Sequence, residues 1–168
     1  VFTGQRSRLQ PDISTQTAAL FAKEIGTYSG ATGVDTPLKD VHFQNNFVKG
    51  LQIAGQSEQQ WTIDGGSFIN NTDWSGVALS VLGTATKINL TNLEFKSNRA
   101  REGGAVYLKV PEADISASSF TANVAKVRGG AVYVCSGTHL SAQTSTFEEN
   151  VAQTQNGGAI CIASEQTD

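Results

Sequence analysis

The sequence predicts an all-β fold, a parallel β-helix of about five coils with a helical cap at its N-terminal end. Three observations predict this fold. A Phe-x-x-Asn motif occurs five times, at intervals of 25, 27, 25 and 27 residues. Each copy is followed by a glycine and a short apolar segment, and apolar and polar residues alternate within each copy. Such a repeat, with three short strands and three turns, forms one coil that buries its apolar side only against neighbouring coils.

The motif residues predict two structural ladders along the stack. In stacked coils the phenylalanine rings lie one above another inside the helix, and the asparagine amides lie at a turn, where they bond along the stack. The predicted ladders are Phe43, Phe68, Phe95, Phe120 and Phe147, and Asn46, Asn71, Asn98, Asn123 and Asn150.

Apolar columns before and after the motif predict the strands of each coil. Side chains alternate across a strand, so apolar residues at every second position face inward. Five residues before each phenylalanine stand Leu38, Ile63, Leu90, Ile115 and Ala142, and three residues after the first glycine stand Ile53, Leu79, Val106, Val132 and Ile160. A β-sandwich is the competing interpretation, but it requires antiparallel hairpin signals and does not require identical columns at this interval.

Glycines predict one corner of each coil. The triplet Gly-Gly-Ala occurs at 103–105, 129–131 and 157–159, while Gly50 and Gly76 open looser versions of the same corner. Glycine is expected where a Cβ would clash or where φ must be positive. The number of residues from each motif phenylalanine to the first glycine varies, so the coils differ in length at this turn.

The two ends of the chain differ from the repeats. Residues 1–35 are expected to form a capping helix and a connector, because apolar residues from Ile13 to Ile25 follow helical spacing, and 36–168 form the repeats. An extended segment that reaches a neighbouring subunit is the alternative for the N-terminal region. Ala159–Ala163 is expected to be a strand of the last coil. That end is expected to continue in a longer solenoid or to be covered by a partner.

Composition limits the classes of function. A net charge of −3 gives no electrostatic footprint for nucleic acid, and no apolar run is long enough to cross a membrane. The two cysteines are too few for a disulfide scaffold, and their offset by two residues and one coil predicts no disulfide between them.

No catalytic or metal site is expected. The acidic residues are scattered over different columns and turns, and His42 and His139 lie four coils apart. Polysaccharide lyases and hydrolases need clustered carboxylates, so neither catalytic residues nor a cofactor is predicted. A carbohydrate-active enzyme with an unrecognised site remains the competing class.

Three sets of surface residues are candidates for binding or modification. Stacked turns are expected to align Arg99 and Arg101 with Lys126 and Arg128, as a contact for an anionic glycan or a partner. The strands after Gly-Gly are expected to expose a stripe of alanine, tyrosine and cysteine, with a lateral interface at Tyr107, Tyr133, Cys135 and Cys161. Glycosylation sequons begin at Asn70 and Asn89.

The alternation of Phe-x-x-Asn with Gly-Gly-Ala-Ile or Gly-Gly-Ala-Val over residues 41–168 resembles the passenger repeat of the chlamydial polymorphic outer-membrane proteins. The resemblance implies a right-handed helix and a secreted, adhesive or structural role. We therefore expect a non-enzymatic protein, extracellular or on the cell surface. It would be an adhesin module or a building block of a filament that self-assembles. A carbohydrate-binding or polysaccharide-degrading β-helix protein is the alternative.

Overall fold

The computed structural model describes residues 2–3, 20–21, 27–28, 38–45, 51–55, 59–73, 77–84 and 86–163. These residues contain strands and turns and no helix. The strands, in chain order, are β1 (Phe2–Thr3), β2 (Leu20–Phe21), β3 (Thr27–Tyr28), β4 (Leu38–Gln44), β5 (Leu51–Gly55), β6 (Gln59–Ile69), β7 (Thr72–Asp73), β8 (Leu79–Gly83), β9 (Thr86–Lys96), β10 (Arg99–Glu102), β11 (Val106–Lys109), β12 (Glu112–Ser116), β13 (Ser119–Thr121), β14 (Val124–Arg128), β15 (Val132–Val134), β16 (His139–Gln143), β17 (Thr146–Glu148), β18 (Val151–Ala152) and β19 (Ile160–Ile162).

The strands form three sheets, which we call the first, second and third faces of the solenoid. The first face has the order β1-β4-β6-β9-β12-β16, with β13 and β17 stacked beside it on β9. The second face has the order β7-β10-β14-β18, and the third has the order β2-β3-β5-β8-β11-β15-β19. The chain visits the three faces in turn and then returns one strand higher on each.

Pairing between successive coils is parallel and confirms the predicted β-helix. Leu38, Ile63, Leu90, Ile115 and Ala142 occupy one register position, as do the five motif phenylalanines. Among the described pairs, antiparallel pairing occurs between β2 and β3. Four complete turns are described, preceded by a first coil represented by β4 and β5.

The core runs along the axis of the stack, as the alternation predicts. Phe68, Phe95 and Phe120 are fully buried, and aliphatic columns from the first and third faces pack around them. Each coil adds the same few side chains to this core, so the apolar interior grows with the number of coils and not with the size of any one coil.

Two of the corners hold residues in the left-handed region, and all of them except Gly65 are residues other than glycine. Three residues before each phenylalanine, φ is 46–81° at Asp40, Gly65, Asn92, Ala117 and Thr144. Two residues after each phenylalanine, φ is 53–56° at Asn45, Asn70, Ser97, Ala122 and Glu149. Asparagine tolerates this conformation better than alanine, serine or glutamate, so the columns mix favourable and unfavourable residues.

The Gly-Gly-Ala corner requires both of its glycines, for different reasons. Gly129 has a φ of 66°, which favours glycine. A Cβ on Gly130 would lie 1.9 Å from the carbonyl oxygen of Gly158 in the next coil, so the second glycine allows close backbone approach. The expectation of glycine at this corner is therefore confirmed for both reasons.

The structure corrects two expectations about the third face. Ile53 pairs with Val81, and Leu51 pairs with Leu79, so the predicted alignment of Ile53 with Leu79 is wrong by two residues. The step along the chain from Phe43 to Leu51 is three residues shorter than the equivalent step from Phe68 to Leu79, so counting from Gly50 gives the wrong register. The predicted exposure of the alanines is also wrong, since Ala105 and Ala131 are fully buried.

The burial of these alanines has a backbone cause. The N–H groups of both Ala105 and Val106 donate to the carbonyl oxygen of Ala131, each at 2.9 Å. Two consecutive N–H groups that point to one acceptor show that the chain is still turning there. Alternation of side chains therefore starts only after Val106, and Ala105 faces the core.

The predicted helix from Ile13 to Ile25 lies outside the described residues except for Leu20 and Phe21, which form strand β2. The division into 1–35 and 36–168 therefore stays a prediction. Strands β1 and β3 extend the first and third faces below β4 and β5. Asn46 likewise lies outside the described residues.

Candidate functional surfaces

The asparagine ladder is the most regular polar feature of the molecule. Each amide Nδ2 donates to the carbonyl oxygen of the phenylalanine in the preceding coil, at 2.7–3.1 Å. In the first three described members, Nδ2 also donates to the Oδ1 of the next asparagine, at 2.9 Å. Their backbone N–H groups donate to that same Oδ1 at 3.0–3.1 Å. The ladder of Asn71, Asn98, Asn123 and Asn150 is thus buried and internally satisfied up to its last member, which confirms the prediction for these four.

The phenylalanine ladder lies directly beside the asparagines. Neighbouring rings from Phe43 to Phe147 are 4.7–5.3 Å apart between centroids and tilted by only 5–10°. The ring spacing follows the spacing of the strands, so the rings stack because the backbones do. These two ladders hold the coils in register and thereby fix where every outward side chain lies.

The basic residues of the second face are arranged differently from the prediction. Arg99 pairs with Val124 and not with Lys126, and a bulge after Ala100 brings Glu102 opposite Arg128. Because of this bulge, Arg101 lies opposite both Lys126 and Val127. Arg99, Arg101 and Lys126 are exposed and make no ion pair within the described part of the chain.

Arg128 is separated from that basic group by its own contacts. Its Nε donates to the Oε1 of Glu102 at 3.1 Å, and this bond raises the pKa of the guanidinium. The guanidinium carbon lies 5.2 Å from the centroid of the Tyr133 ring, a cation–π contact. The predicted group of four free cations is therefore reduced to three, with Arg128 partly neutralised.

The candidate lateral interface is a compact aromatic and thiol cluster. The rings of Tyr107 and Tyr133 lie 5.4 Å apart, and the Cys135 thiol donates to the Tyr107 hydroxyl at 3.0 Å. Burial raises the pKa of Tyr107. Burial also raises the pKa of Tyr133. Tyr133 is only 6% exposed, so Tyr107, Cys135 and Cys161 offer more surface to a partner.

The cysteine register agrees with the sequence prediction. Cys161 pairs with Tyr133, so Cys135 lies two positions further along the neighbouring strand. Both cysteines are free and partly exposed. The absence of a bridge between them follows from this offset.

The two sequon asparagines differ in accessibility. Asn70 is exposed at a left-handed corner, where its Nδ2 donates to the Oδ1 of Asn45 at 2.8 Å. Asn89 lies in the middle of the first face, and its Oδ1 is buried without a hydrogen-bond partner. Glycosylation of either residue stays a prediction, and Asn70 is the more accessible of the two.

One charged cluster was not found by sequence reasoning. Lys87 Nζ lies 2.7 Å from Glu112 Oε1 and 3.1 Å from Asp114 Oδ2, on the outer surface of the first face. These hydrogen bonds raise the pKa of Lys87. The signal was present in the sequence, because Lys87 and Glu112 stand at equivalent positions of neighbouring coils.

Two further titratable groups make hydrogen bonds to neighbouring coils. Asp64 accepts a hydrogen bond from the Asn92 amide at 2.8 Å, and His42 bonds the Ser67 hydroxyl at 2.9 Å. A shallow open groove follows the corner at Asn92, Ala117 and Thr144. The described residues contain no group of three or more His, Cys, Asp or Glu side chains placed to hold a metal ion. They also contain no helix of the length and hydropathy needed to span a membrane.

Comparison with known proteins agrees with the repeat architecture. Residues 144–163 match the family model of the Chlamydia polymorphic membrane protein (Chlamydia_PMP) repeat. The matched segment runs from the left-handed corner at Thr144 through β17 and β18 to the end of β19. No curated protein and no solved structure matches the chain significantly.

The matched family and the fold together indicate a class of protein. The repeats of this chain resemble those of the polymorphic membrane proteins, as their motifs predicted, and they fold as a parallel β-solenoid. That family is named for membrane proteins of Chlamydia. Fold and repeat therefore fit a β-helical protein of the cell surface.

Proposed function

We propose that this protein is a structural or adhesive module that acts outside the cell, either as part of a surface adhesin or as a building block of an extracellular filament. The observation that carries the proposal is the pair of buried ladders, which hold five coils in register and leave all variation to outward side chains and turns. A rod of this kind displays its outward columns at a fixed spacing of about 4.8 Å, which suits contact with another extended surface.

The surface location is tested by labelling intact cells of the source organism with an antibody against the protein. We expect labelling without permeabilisation of the cells. Labelling that appears only after permeabilisation would contradict an extracellular role.

The adhesive role is tested with beads coated with the purified protein. We expect these beads to adhere to cells or matrix more strongly than beads coated with an unrelated protein. The non-enzymatic part of the proposal fails if the protein depolymerises pectin, alginate or a sulfated glycan.

A second candidate function is binding of an anionic glycan on the second face. Arg99, Arg101 and Lys126 favour it, because these exposed cations lie on neighbouring strands without acidic partners among the described residues. Such a surface attracts sulfate or carboxylate groups, and the attraction weakens as salt screens it.

Titration calorimetry with a sulfated polysaccharide tests this candidate. We expect the double variant Arg101→Ala/Lys126→Ala to lose at least ten-fold in affinity. Lys109→Ala, which removes an exposed cation from the third face, is the matched control and should bind like the wild type. Equal binding by all three proteins would exclude this surface as the site.

A further inference from the structure

The corner between the second and third faces holds an arginine that its contacts fix in place without using all of its donors. The Arg128 guanidinium lies over the Tyr133 ring, with its central carbon 5.2 Å from the ring centroid. Its hydrogen-bond partner among the described residues is Glu102, which accepts from Nε at 3.1 Å. A guanidinium carries several further N–H donors, and the Arg128 side chain is 38% exposed. These donors are therefore open to an anion from outside.

The tyrosine beneath Arg128 forms a rigid support. Tyr133 pairs in register with Tyr107 on one side and with Cys161 on the other, and it is buried. The Tyr107 ring lies 5.4 Å from the Tyr133 ring and packs beside it. Because Arg128 already rests on this ring, its side chain loses little conformational freedom when it binds an anion.

Arg128 also lies close to the free cations of the second face. Lys126 precedes it by two residues, which is about 6.6 Å along an extended strand. The bulge after Ala100 places Arg101 opposite Lys126 and Val127. Neighbouring cations of this group are thus closer together than the screening length of about 8 Å at physiological salt, so they attract an anionic chain jointly.

Glu102 occupies the position that an external anion would take. Its carboxylate lies against the Nε of Arg128, so the corner has room for a carboxylate beside this guanidinium. The Glu102 side chain is 24% exposed, so water and salt reach the ion pair and keep it weak. A weak internal pair of this kind exchanges for a stronger external one.

We propose that Arg128 is an additional anion subsite, continuous with Arg101 and Lys126, and that Glu102 covers it until an anionic glycan displaces the Glu102 carboxylate. The inference rests on the proposed glycan binding at the second face and names the residue that limits it. A glycan with several sulfate or carboxylate groups contacts all three cations at once, so its anions act together against the single carboxylate of Glu102. Glu102 thereby favours chains of high charge density over isolated anions.

Titration calorimetry of the 168-residue protein with dextran sulfate tests the proposal, and unsulfated dextran is the uncharged control ligand. Glu102→Gln keeps the shape of the side chain and removes its charge, so we expect it to bind dextran sulfate about five-fold more tightly than the wild type. In the Arg128→Ala background the same change should gain less than about two-fold, because no covered cation is released. Glu94→Gln, which removes an exposed acid from the first face, is the matched control and should bind like the wild type.

Modification of arginine by phenylglyoxal gives a second measurement that does not depend on calorimetry. Peptide mass spectrometry should show that dextran sulfate slows the modification of Arg128 and that unsulfated dextran does not. Glu102→Gln should speed the modification of Arg128 in the absence of either polysaccharide. Circular dichroism should show all variants folded.

An equal gain from Glu102→Gln with and without Arg128 would overturn the proposal, as would an equal gain from Glu94→Gln or no protection of Arg128 by dextran sulfate. Weaker binding by Arg101→Ala/Lys126→Ala, with unchanged binding by Arg128→Ala, would leave the glycan site standing while this subsite fails. If neither the wild type nor Glu102→Gln binds dextran sulfate, the glycan site and the subsite both fail, so the two failures are distinguishable.

Discussion

Asn98 shows how much a single buried amide contributes to this fold. Its Nδ2 donates at 2.7 Å to Phe68 and at 2.9 Å to Asn123, and its Oδ1 accepts two bonds from Asn71. Truncation would leave several buried groups without partners, and each unsatisfied group costs about 1–3 kcal/mol. Asn89, in contrast, makes one long hydrogen bond of 3.4 Å to Thr62.

We therefore expect Asn98→Ala to lower the free energy of unfolding by about 2–3 kcal/mol, and Asn89→Ala by less than about 1 kcal/mol. Urea denaturation of the two variants measures both values. Similar losses would mean that the asparagine ladder does not hold the coils together.

Ala122 occupies a backbone conformation that suits another residue better. Its φ is 54°, and Asn45 and Asn70 stand at the same register position in earlier coils. Asparagine visits the left-handed region more readily than alanine, so Ala122→Asn should stabilise the protein by about 0.5–1 kcal/mol. Thr121→Asn changes the preceding extended residue and should give no gain. Thermal denaturation compares the two, and a gain in Thr121→Asn alone would contradict the assigned corner.

Tyr107 couples stability to alkaline pH. Burial raises its pKa, so the folded protein keeps the phenol proton where the unfolded chain releases it. The stability due to this group is complete below its unfolded pKa of about 10 and is lost as the pH rises above that value. We expect the free energy of unfolding to fall more steeply above about pH 10 in the wild type than in Tyr107→Phe. Parallel curves for the two proteins would show that Tyr107 is not the responsible group.

At the scale of the elements, each coil is stabilised by the coils on both sides. Phe120 stacks on Phe95 and on Phe147, with centroids 4.7 Å apart on either side, whereas Phe147 has one described ring neighbour. Phe120→Ala should therefore cost about 3–5 kcal/mol, as expected for a large ring removed from a packed core. Phe147→Ala should cost clearly less in the monomer. Chemical denaturation at low protein concentration tests the difference, and equal costs would place Phe147 inside a covered core.

The elements also show what the sequence could predict. Phenylalanine and asparagine are distinctive and recur at a nearly fixed interval, so their columns and the parallel coils could be predicted directly. The register of Ile53 could not be predicted, because fewer residues separate Phe43 from Leu51 than separate the equivalent residues of later coils. The burial of Ala105 was missed because alternation fails where the chain turns.

The candidate surfaces could be predicted less well than the core. Outward residues pack on nothing that fixes their type, so spacing alone showed neither that Arg99 lies opposite Val124 nor that a bulge follows Ala100. The same bulge brings Arg128 to Glu102 and removes it from the basic group. The Lys87 cluster could have been found by reading charges down the columns, as was done for the apolar residues.

At the scale of the whole molecule, the central claim is a stack of parallel coils in a single register. Lys39, Asp64, Thr91, Ser116 and Gln143 stand at one register position on the first face. Lys39 and Gln143 are exposed and separated by four coil-to-coil steps, so their Cα atoms should lie about 19 Å apart. Both positions accept spin labels on introduced cysteines once Cys135 and Cys161 are replaced by serine.

Pulsed electron paramagnetic resonance between labels at Lys39→Cys and Gln143→Cys measures this separation, with excess unlabelled protein added to suppress contacts between copies. We expect a narrow distribution near about 19 Å, allowing for the label arms, and a value about 5 Å shorter when Asp64→Cys replaces Lys39→Cys. A broad distribution, a separation above about 30 Å, or no shortening with the second pair would contradict the stacked register.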